Sequence, residues 1–564
     1  MLGIGGWDWF ALGLYLIGIT AIGVWTVRGI HDTADFFMGG RRFNKVFMLF
    51  FAFGAGTSGN DAVAVSSKTY TNGVSGIWYQ FLWLFATPFY WIIAPVFRRM
   101  RAITTGDFFE QRYDGNTAAL YAIIGVMQLT VNMGVLLKGC GATIEAVSGG
   151  AIRSDLAIAV MTVLFVIYGI AGGLAAAIVT DFVQGILPVV MSFILLPSAW
   201  MMVGGMTGLR QNIADPSMFS LVAPGEINGF HVLMFAANAL IGVVTQPHVM
   251  GNCASGRTEM DGRVGMTGGN LLKRICTVAW MLTGLCAVVY YAGRSDIKPD
   301  LVFGTMARDL LPPIMPGLVG LFLASLLASI MSSCDAFMVS SSGLFTQNFY
   351  RRFVRSKTEQ HYVTVGRIAA FTIVCGGIGF ALSFNTVPEA LEWFFRMQAM
   401  MGAAFWLGLF WRRTTVAGAW AGTIVALVIA LVTSRDFFHV WSVQNLPEFM
   451  LWDGKFRLSW QMLLYLTGGF GTCILVSLVT PRVPKAKLDR LYECLRTPIQ
   501  PNEPHLKPFT LPPGVTPPPA RKLFNHPDLE IPMPTLVGMA GFIVVWGCVA
   551  LLIASVFWIV GLGA

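Results

Sequence analysis

Residues 328–337 read ASIMSSCDAF and lie inside the apolar run LVGLFLASLLASIMSSCDAFMV, residues 318–339. On a helix, Ser329, Ser332 and Ser333 stand at i, i+3 and i+4 and share one face. Their oxygens, with backbone carbonyls freed nearby, can replace part of the hydration shell of a small, hard monovalent cation. Asp335 follows two residues later. Ionisable groups within membrane-grade helices are costly and usually mark ion or substrate pathways. Serines alone have plainer uses, such as bonding back to the preceding turn or letting helices pack closely.

Two further stretches could complete such a site. FAFGAGTSGNDAVAVSSKTY (51–70) opens as a membrane helix and then presents Gly54, Gly56, Thr57, Ser58, Gly59, Asn60 and Asp61. Three closely spaced glycines destabilise continuous helix, and irregular backbone at membrane depth is tolerated only against protein or a cavity. The spacing predicts a broken helix that offers carbonyls to a cation and helix ends to substrate charges. YGIAGGLAAAIVTDFVQGI (168–186) predicts a tight turn at GGL, with Asp181 inside the span that follows. A buried carboxylate there needs a partner. A cation shared with Ser332 and Asp335 would serve, as would a hydrogen bond to Thr180 or a neighbouring helix.

Other charges inside apolar spans are candidate solute ligands. Lys138 has no obvious local partner and suits an anion, Asp61 suits an amine, and Arg396 stands four residues after Glu392, where the two can neutralise each other. Aromatic side chains near this path (Tyr70, Trp78, Tyr79, Trp393) are gate candidates as well as ordinary packing or interfacial anchors.

The elements that position these residues follow from composition. The 564 residues are 55% hydrophobic and 12% charged, with a mean hydropathy of +0.66; soluble domains carry about 25% charge. Apolar runs long enough to cross a bilayer number about fourteen. The formal charge of +9 does not indicate nucleic-acid binding, because the basic residues occupy short loops between spans. Lys and Arg favour alternate loops roughly threefold, which predicts both termini outside the cell. The nine cysteines lie mostly inside apolar segments without metal-ligand spacing. The one long polar stretch, 481–535, is proline-rich and reads as a linker with one short amphipathic helix, KAKLDRLYECLR. It is too small for a catalytic or output domain. That argues against an enzyme and against a sodium-dependent solute sensor, although the sensor stays open as an alternative.

Six phrases carry a resemblance: ADFFMGGRR (34–42), TTGDFFEQRYD (104–114), YGIAGGLAAAIVTDFVQG (168–185), TQPHVM (245–250), LASIMSSCDAFMVSSSGLFTQNFY (327–350) and GLFWRRTTVAGAWAG (408–422). In this order and spacing they resemble the sodium/solute symporter family, relatives of the sodium–glucose, proline, pantothenate and sialic acid transporters. The resemblance implies an all-α membrane protein with a LeuT-type core of two inverted five-helix repeats. The expected organisation is a first helix and loop (1–43), the first repeat (44–203), an extracellular loop (204–227), the second repeat (228–411), two peripheral helices (412–480), the linker (481–535) and a last helix (536–564). It implies a sodium ion held by carbonyls of Gly54, Thr57 and Ser329 and by hydroxyls of Ser332 and Ser333. Asp181 with Asp335 would form a second cation site or a proton site, because Asp335 and Ala336 stand where relatives place some hydroxyls. Two other places depart from the family. Gly251-Asn252 replaces a frequent Gln-Arg, and Asn60-Asp61 is unlike the sugar transporters.

The expected function is sodium-coupled symport of a small organic solute, carboxylate or amino-acid-like, into the cell by alternating access. Proton coupling on the same scaffold is the rival. Asn60, Asp61, Lys138, Gln246 and Arg396 are the solute-ligand candidates. The remaining expectations are a monomer in the plasma membrane, with sodium, the solute and the lipid bilayer as partners and no nucleic acid.

Overall fold

The computed structural model describes residues 5–26, 37–223, 226–294, 296–384, 386–500, 503 and 507–562. At a few helical positions, including 164–165, 167–173 and 175–176, the backbone alone is described. Arg28 and residues 34–36 of the ADFFMGGRR phrase lie outside the described residues.

Asn44 opens helix Lys45–Gly56 by accepting from the amides of Val46 and Phe47. The helix stops at the glycine-rich stretch, where Thr57 and Ser58 are extended (φ −128°, ψ 117° and φ −134°, ψ 162°). It restarts as Gly59–Asn72, capped by Ser58 and Asp61 in a reciprocal box. The predicted break is therefore present. Gly59 has a second reason to be glycine: a Cβ there would run into the Leu326 side chain.

A second break was not foreseen. Helix Gly229–Gly242 passes through a short 3-10 turn, and Pro247–Ala254 then leaves at 70°. Pro247 supplies no amide and pushes Gln246 into extended backbone (φ −75°, ψ 118°). Helix Glu259–Tyr290 runs beside the first break, with Gly265 against Met48, Gly269 against Leu49 and Phe53, and Gly284 against Ser66. The serine helix Leu318–Leu344 is continuous and deeply buried, and it ends in a π-helical turn, Phe345–Tyr350.

Among the described residues, eight helices are long and apolar enough to cross a membrane, or nine if the 70° pair counts as one span. The expected fourteen is not reached by this measure, partly because broken spans such as Lys45–Gly56 fall short of it. The tight turn expected at 172–174 is also not seen. Helix Ser154–Gln184 passes through these positions without a break, since one glycine pair costs a helix only about 2 kcal/mol.

Candidate functional site

The serine face meets the broken helix at its break. Ser333 Oγ donates to the Gly54 carbonyl at 3.0 Å, and that carbonyl also accepts from the Thr57 amide at 3.2 Å. Ser332 Oγ lies 2.5 Å from where a Cβ on Gly54 would sit, and Asp181 Cβ and Cγ lie 3.6 Å from the same point. Gly54, Ser332, Ser333 and Asp181 thus converge, and any side chain at residue 54 would fill the space between them. Ser329 faces the restart of the helix at Gly59, but its hydroxyl is spent on Leu326 O of its own helix at 2.7 Å.

This pole is rich in oxygen and short of hydrogen-bond partners. Among the described residues Thr57 Oγ1 is buried without one, and the buried Asp181 carboxylate has only the Ser332 hydroxyl to turn to. Leaving buried polar atoms unpaired costs about 1–3 kcal/mol each and more for a charge, so the arrangement suits a cation. Asp335, also buried, is one helical turn after Ser332 and in electrostatic contact with Asp181. Both carboxylates act on Tyr15, whose hydroxyl accepts from Gln184 Nε2 at 2.8 Å.

Asp61 behaves differently, because the chain itself supplies a cation to the carboxylate considered for a substrate amine. Lys273 Nζ pairs with its Oδ2 at 2.8 Å, Gln80 Nε2 donates to Oδ1 at 2.6 Å, and the Ser58 amide donates to Oδ2 at 3.0 Å. Lys273 also donates to the Gly56 carbonyl, so it ties both sides of the break to one helix. Lys273 and Arg274, not among the sequence-based candidates, both lie inside helix Glu259–Tyr290 and are buried.

Beside this pair lies a central cavity with about 80 Å³ of internal space, enough for a few waters. Asn60, Asp61 and Gln246, three of the solute-ligand candidates, line it, and Lys273, Arg274, His248, Asn252 and Asn270 join them. Four lining atoms are buried without a hydrogen-bond partner: Gln80 Oε1, His248 Nδ1, Asn252 Oδ1 and Arg274 Nε.

Lys138 and Arg396 do not reach this cavity. On helix Gly115–Val147 the inward face is Asn132 and Leu136, and Lys138 turns to a separate hollow with Lys68, Glu145 and Lys298. On helix Val387–Gln398 the inward face is Leu391, Phe394 and Phe395. Arg396 is held aside by Gln461 at 3.0 Å and Glu392 at 3.4 Å. A signal for the missed residues was present: Lys273 and Arg274 fall within an apolar run.

Comparisons with known proteins fit this geometry. Residues 36–426 match the Sodium:solute symporter family. The chain is 26% identical over 495 residues to the osmoregulated proline transporter OpuE of Bacillus subtilis, covering 84% of this chain and 95% of that protein. It is 26% identical over 455 residues to the high-affinity proline transporter PutP of the same organism, covering 76% and 92%. With the sodium/glucose cotransporter of Vibrio parahaemolyticus it shares 25% over 462 residues, covering 75% and 84%. A solved Na+-coupled sialic acid symporter, substrate-bound and outward-open, has the same fold, with a TM-score of 0.70 at 17% identity over 85% of this chain and 99% of that one. The expected all-α LeuT-type architecture is thereby met. The chain belongs to the sodium:solute symporter family, and is a multi-pass membrane transporter, not an enzyme, with sodium as its coupling ion.

Proposed function

We propose that sodium binds where the first broken helix meets the serine helix, and that its binding and release turn the carrier around. The ligands would be the Ser332 and Ser333 hydroxyls and carbonyls at Gly54, Thr57 and Ser329. Asp181 would supply the compensating charge. The observation that carries this reading is the convergence of Gly54, Ser332, Ser333 and Asp181 on one buried point, with no ion pair to Asp181 among the described residues. An ion there joins two helices from different repeats, so it binds conformations that hold them together more tightly than those that part them. That inequality is the source of coupling. With both termini outside and 481–535 in the cytoplasm, as the loop charges favour, inward sodium movement draws about 2.3 kcal/mol per 100 mV from the membrane potential.

The solute would occupy the central cavity, which would have to widen from the few waters' room it has here. Lys273 and Arg274 face one carboxylate, Asp61, so the wall carries an excess positive charge that favours an anionic group. Gln80 Oε1 and Asn252 Oδ1 are acceptors waiting for N–H or O–H donors. A small amino acid offers both partners, and proline is the first to test because it is what the two Bacillus relatives carry by name. The protein would act as a monomer in the plasma membrane, with no nucleic acid involved.

The experiment is uptake of labelled proline and other small amino acids into proteoliposomes under a sodium gradient or a pH gradient alone. Uptake that requires sodium supports the reading. Uptake driven equally by protons alone would replace it with the second reading, in which Asp181 and Asp335 share a proton; their electrostatic contact is the observation that favours it.

A further inference from the structure

The described residues of the stretch 481–535 are not a loose connection. Helix Lys485–Arg496 docks on the membrane bundle, with Tyr492 Oη donating to Gly408 O at 2.9 Å and Lys487 Nζ to Tyr113 O at 2.7 Å. Arg101 and Glu503 pair with their side chains only 2% and 4% exposed. Further on, Asp528 O accepts from the Arg412 amide, and the Glu530 amide donates to Phe410 O, each at 2.8 Å. The segment is a strap across one end of the bundle. It touches the first repeat near residues 99–113 and the end of the second near 408–412.

Between strap and bundle lies a cavity of about 390 Å³, distinct from the central one. Its walls divide by chemistry. Val96, Leu409, Phe410, Leu495 and Met533 form an apolar side, while Arg99, Arg496, Arg521 and Lys522 face one acid, Glu530. Two of these cations are already committed. Arg99 makes a two-pronged pair with Glu259 at 2.7 and 2.8 Å, and Lys522 pairs with Glu530 at 2.7 Å. The other two are not. Arg496 has only a 3.5 Å contact to Glu493, and its Nε is buried without a partner. Arg521 makes no ion pair among the described residues.

An occupant that satisfies this cavity must offer an anion to two guanidinium groups and hydrocarbon to the apolar side. The rim indicates where such a molecule comes from. Thr535 lines the cavity and caps the last membrane helix, Leu536–Gly561. Met533 and Leu536 beside it are 59% and 87% exposed. Arginine forks match phosphate oxygens, and basic pockets next to membrane helices hold anionic lipid head groups. We propose that this cavity binds an anionic phospholipid, its phosphate between Arg496 and Arg521 and an acyl chain along Met533 and Leu536. Because both repeats and the strap contribute walls, the lipid would stiffen the joint between them.

The test uses the purified full-length transporter in neutral detergent. Thermal melting is followed with added phosphatidylglycerol, phosphatidylcholine or inorganic phosphate at equal phosphate concentration. Phosphatidylglycerol should raise the melting temperature by several degrees, and the other two should not. Arg496→Gln with Arg521→Gln should remove that rise. Should the pair fail to fold, Arg521→Gln alone, at an exposed position, should retain about fivefold less phosphatidylglycerol in native mass spectrometry. An equal rise with phosphatidylcholine, an equal rise with phosphate alone, or a rise or lipid retention unchanged in the variants would each overturn the proposal.

Discussion

Asp61 and Asp181 are both buried carboxylates, and both sit beside the same helix break, yet their surroundings are opposite. Asp61 has a lysine, a side-chain amide and a backbone amide on its two oxygens. Asp181 makes no ion pair among the described residues and faces the Ser332 hydroxyl, which carries no charge, and a second acid, Asp335. A buried carboxylate persists only when something compensates it. At Asp61 the chain provides the cation itself, from helix Glu259–Tyr290, and the acid becomes a fastener that holds the break open. At Asp181 the chain provides no cation among the described residues, and the proposed sodium ion would supply the compensation. On this reading one residue type does structural work on one side of the break and ion-binding work on the other.

The largest expected effect tests the fastener. Lys273→Met leaves Asp61 buried without its cation and should cost about 3–5 kcal/mol of stability, read as a lower melting temperature in detergent. Adding Asp61→Asn should recover most of the loss. Asp181→Asn should do the reverse and raise the sodium-free melting temperature, because it deletes an uncompensated charge. If Lys273→Met and Asp181→Asn shift melting in the same direction, the contrast between the two acids is wrong.

Next comes the ion pole. Ser332→Ala with Ser333→Ala removes two oxygen ligands while leaving a helix that inserts normally. At about 1.5 kcal/mol for each contact to a charge, the sodium concentration for half-maximal uptake should rise about a hundredfold. Unchanged sodium dependence in a correctly inserted double variant would remove these serines from the mechanism. Sodium should also protect the wild type against melting, by about 2.7 kcal/mol at a hundred times its dissociation constant, and should not protect Asp181→Asn.

A smaller effect is expected at Gly54. A methyl group there would stand 2.5 Å from Ser332 Oγ and fill the convergence point, so Gly54→Ala should cost about 1–3 kcal/mol by overpacking. If sodium occupies this space, uptake should fall more than stability does. A variant equally weakened in both would mark Gly54 as a packing residue only.

These contrasts also show what the sequence could and could not tell. The serine face and the glycine-rich break were legible because both are local: one is a helical spacing and the other a density of flexible residues. The pairing of Asp61 was not, because its partner Lys273 arrives from a helix far along the chain. The second break could have been read from the Gln246–Pro247 pair. The proline content of 481–535 correctly implied extended backbone, and the Lys485–Arg496 helix lies where its pattern put it. Nothing local, however, could reveal that the segment docks back on the bundle through Arg101, Gly408 and Arg412. Glu392 and Arg396 were readable as a pair, but which helix face turns inward depends on packing partners that spacing alone does not supply.

The smallest predicted effects separate the central cavity from its surroundings. Lys138 and Arg396 are cations in apolar spans, as Lys273 is, but neither lines the cavity. Lys138 belongs to a partly open hollow where water and salt screen its field, the Debye length being about 8 Å at physiological ionic strength. Lys138→Gln should therefore change the half-saturating solute concentration by no more than about twofold. Arg396→Gln should act mainly through stability, since it removes contacts to Gln461 and Glu392. Lys273, which shares the cavity wall with Arg274, should matter far more for an anionic group when tested in the stability-rescued Asp61→Asn, Lys273→Met background. A tenfold loss of solute affinity in Lys138→Gln, with the rescued double variant transporting normally, would move the solute out of the central cavity and into the Lys138 hollow.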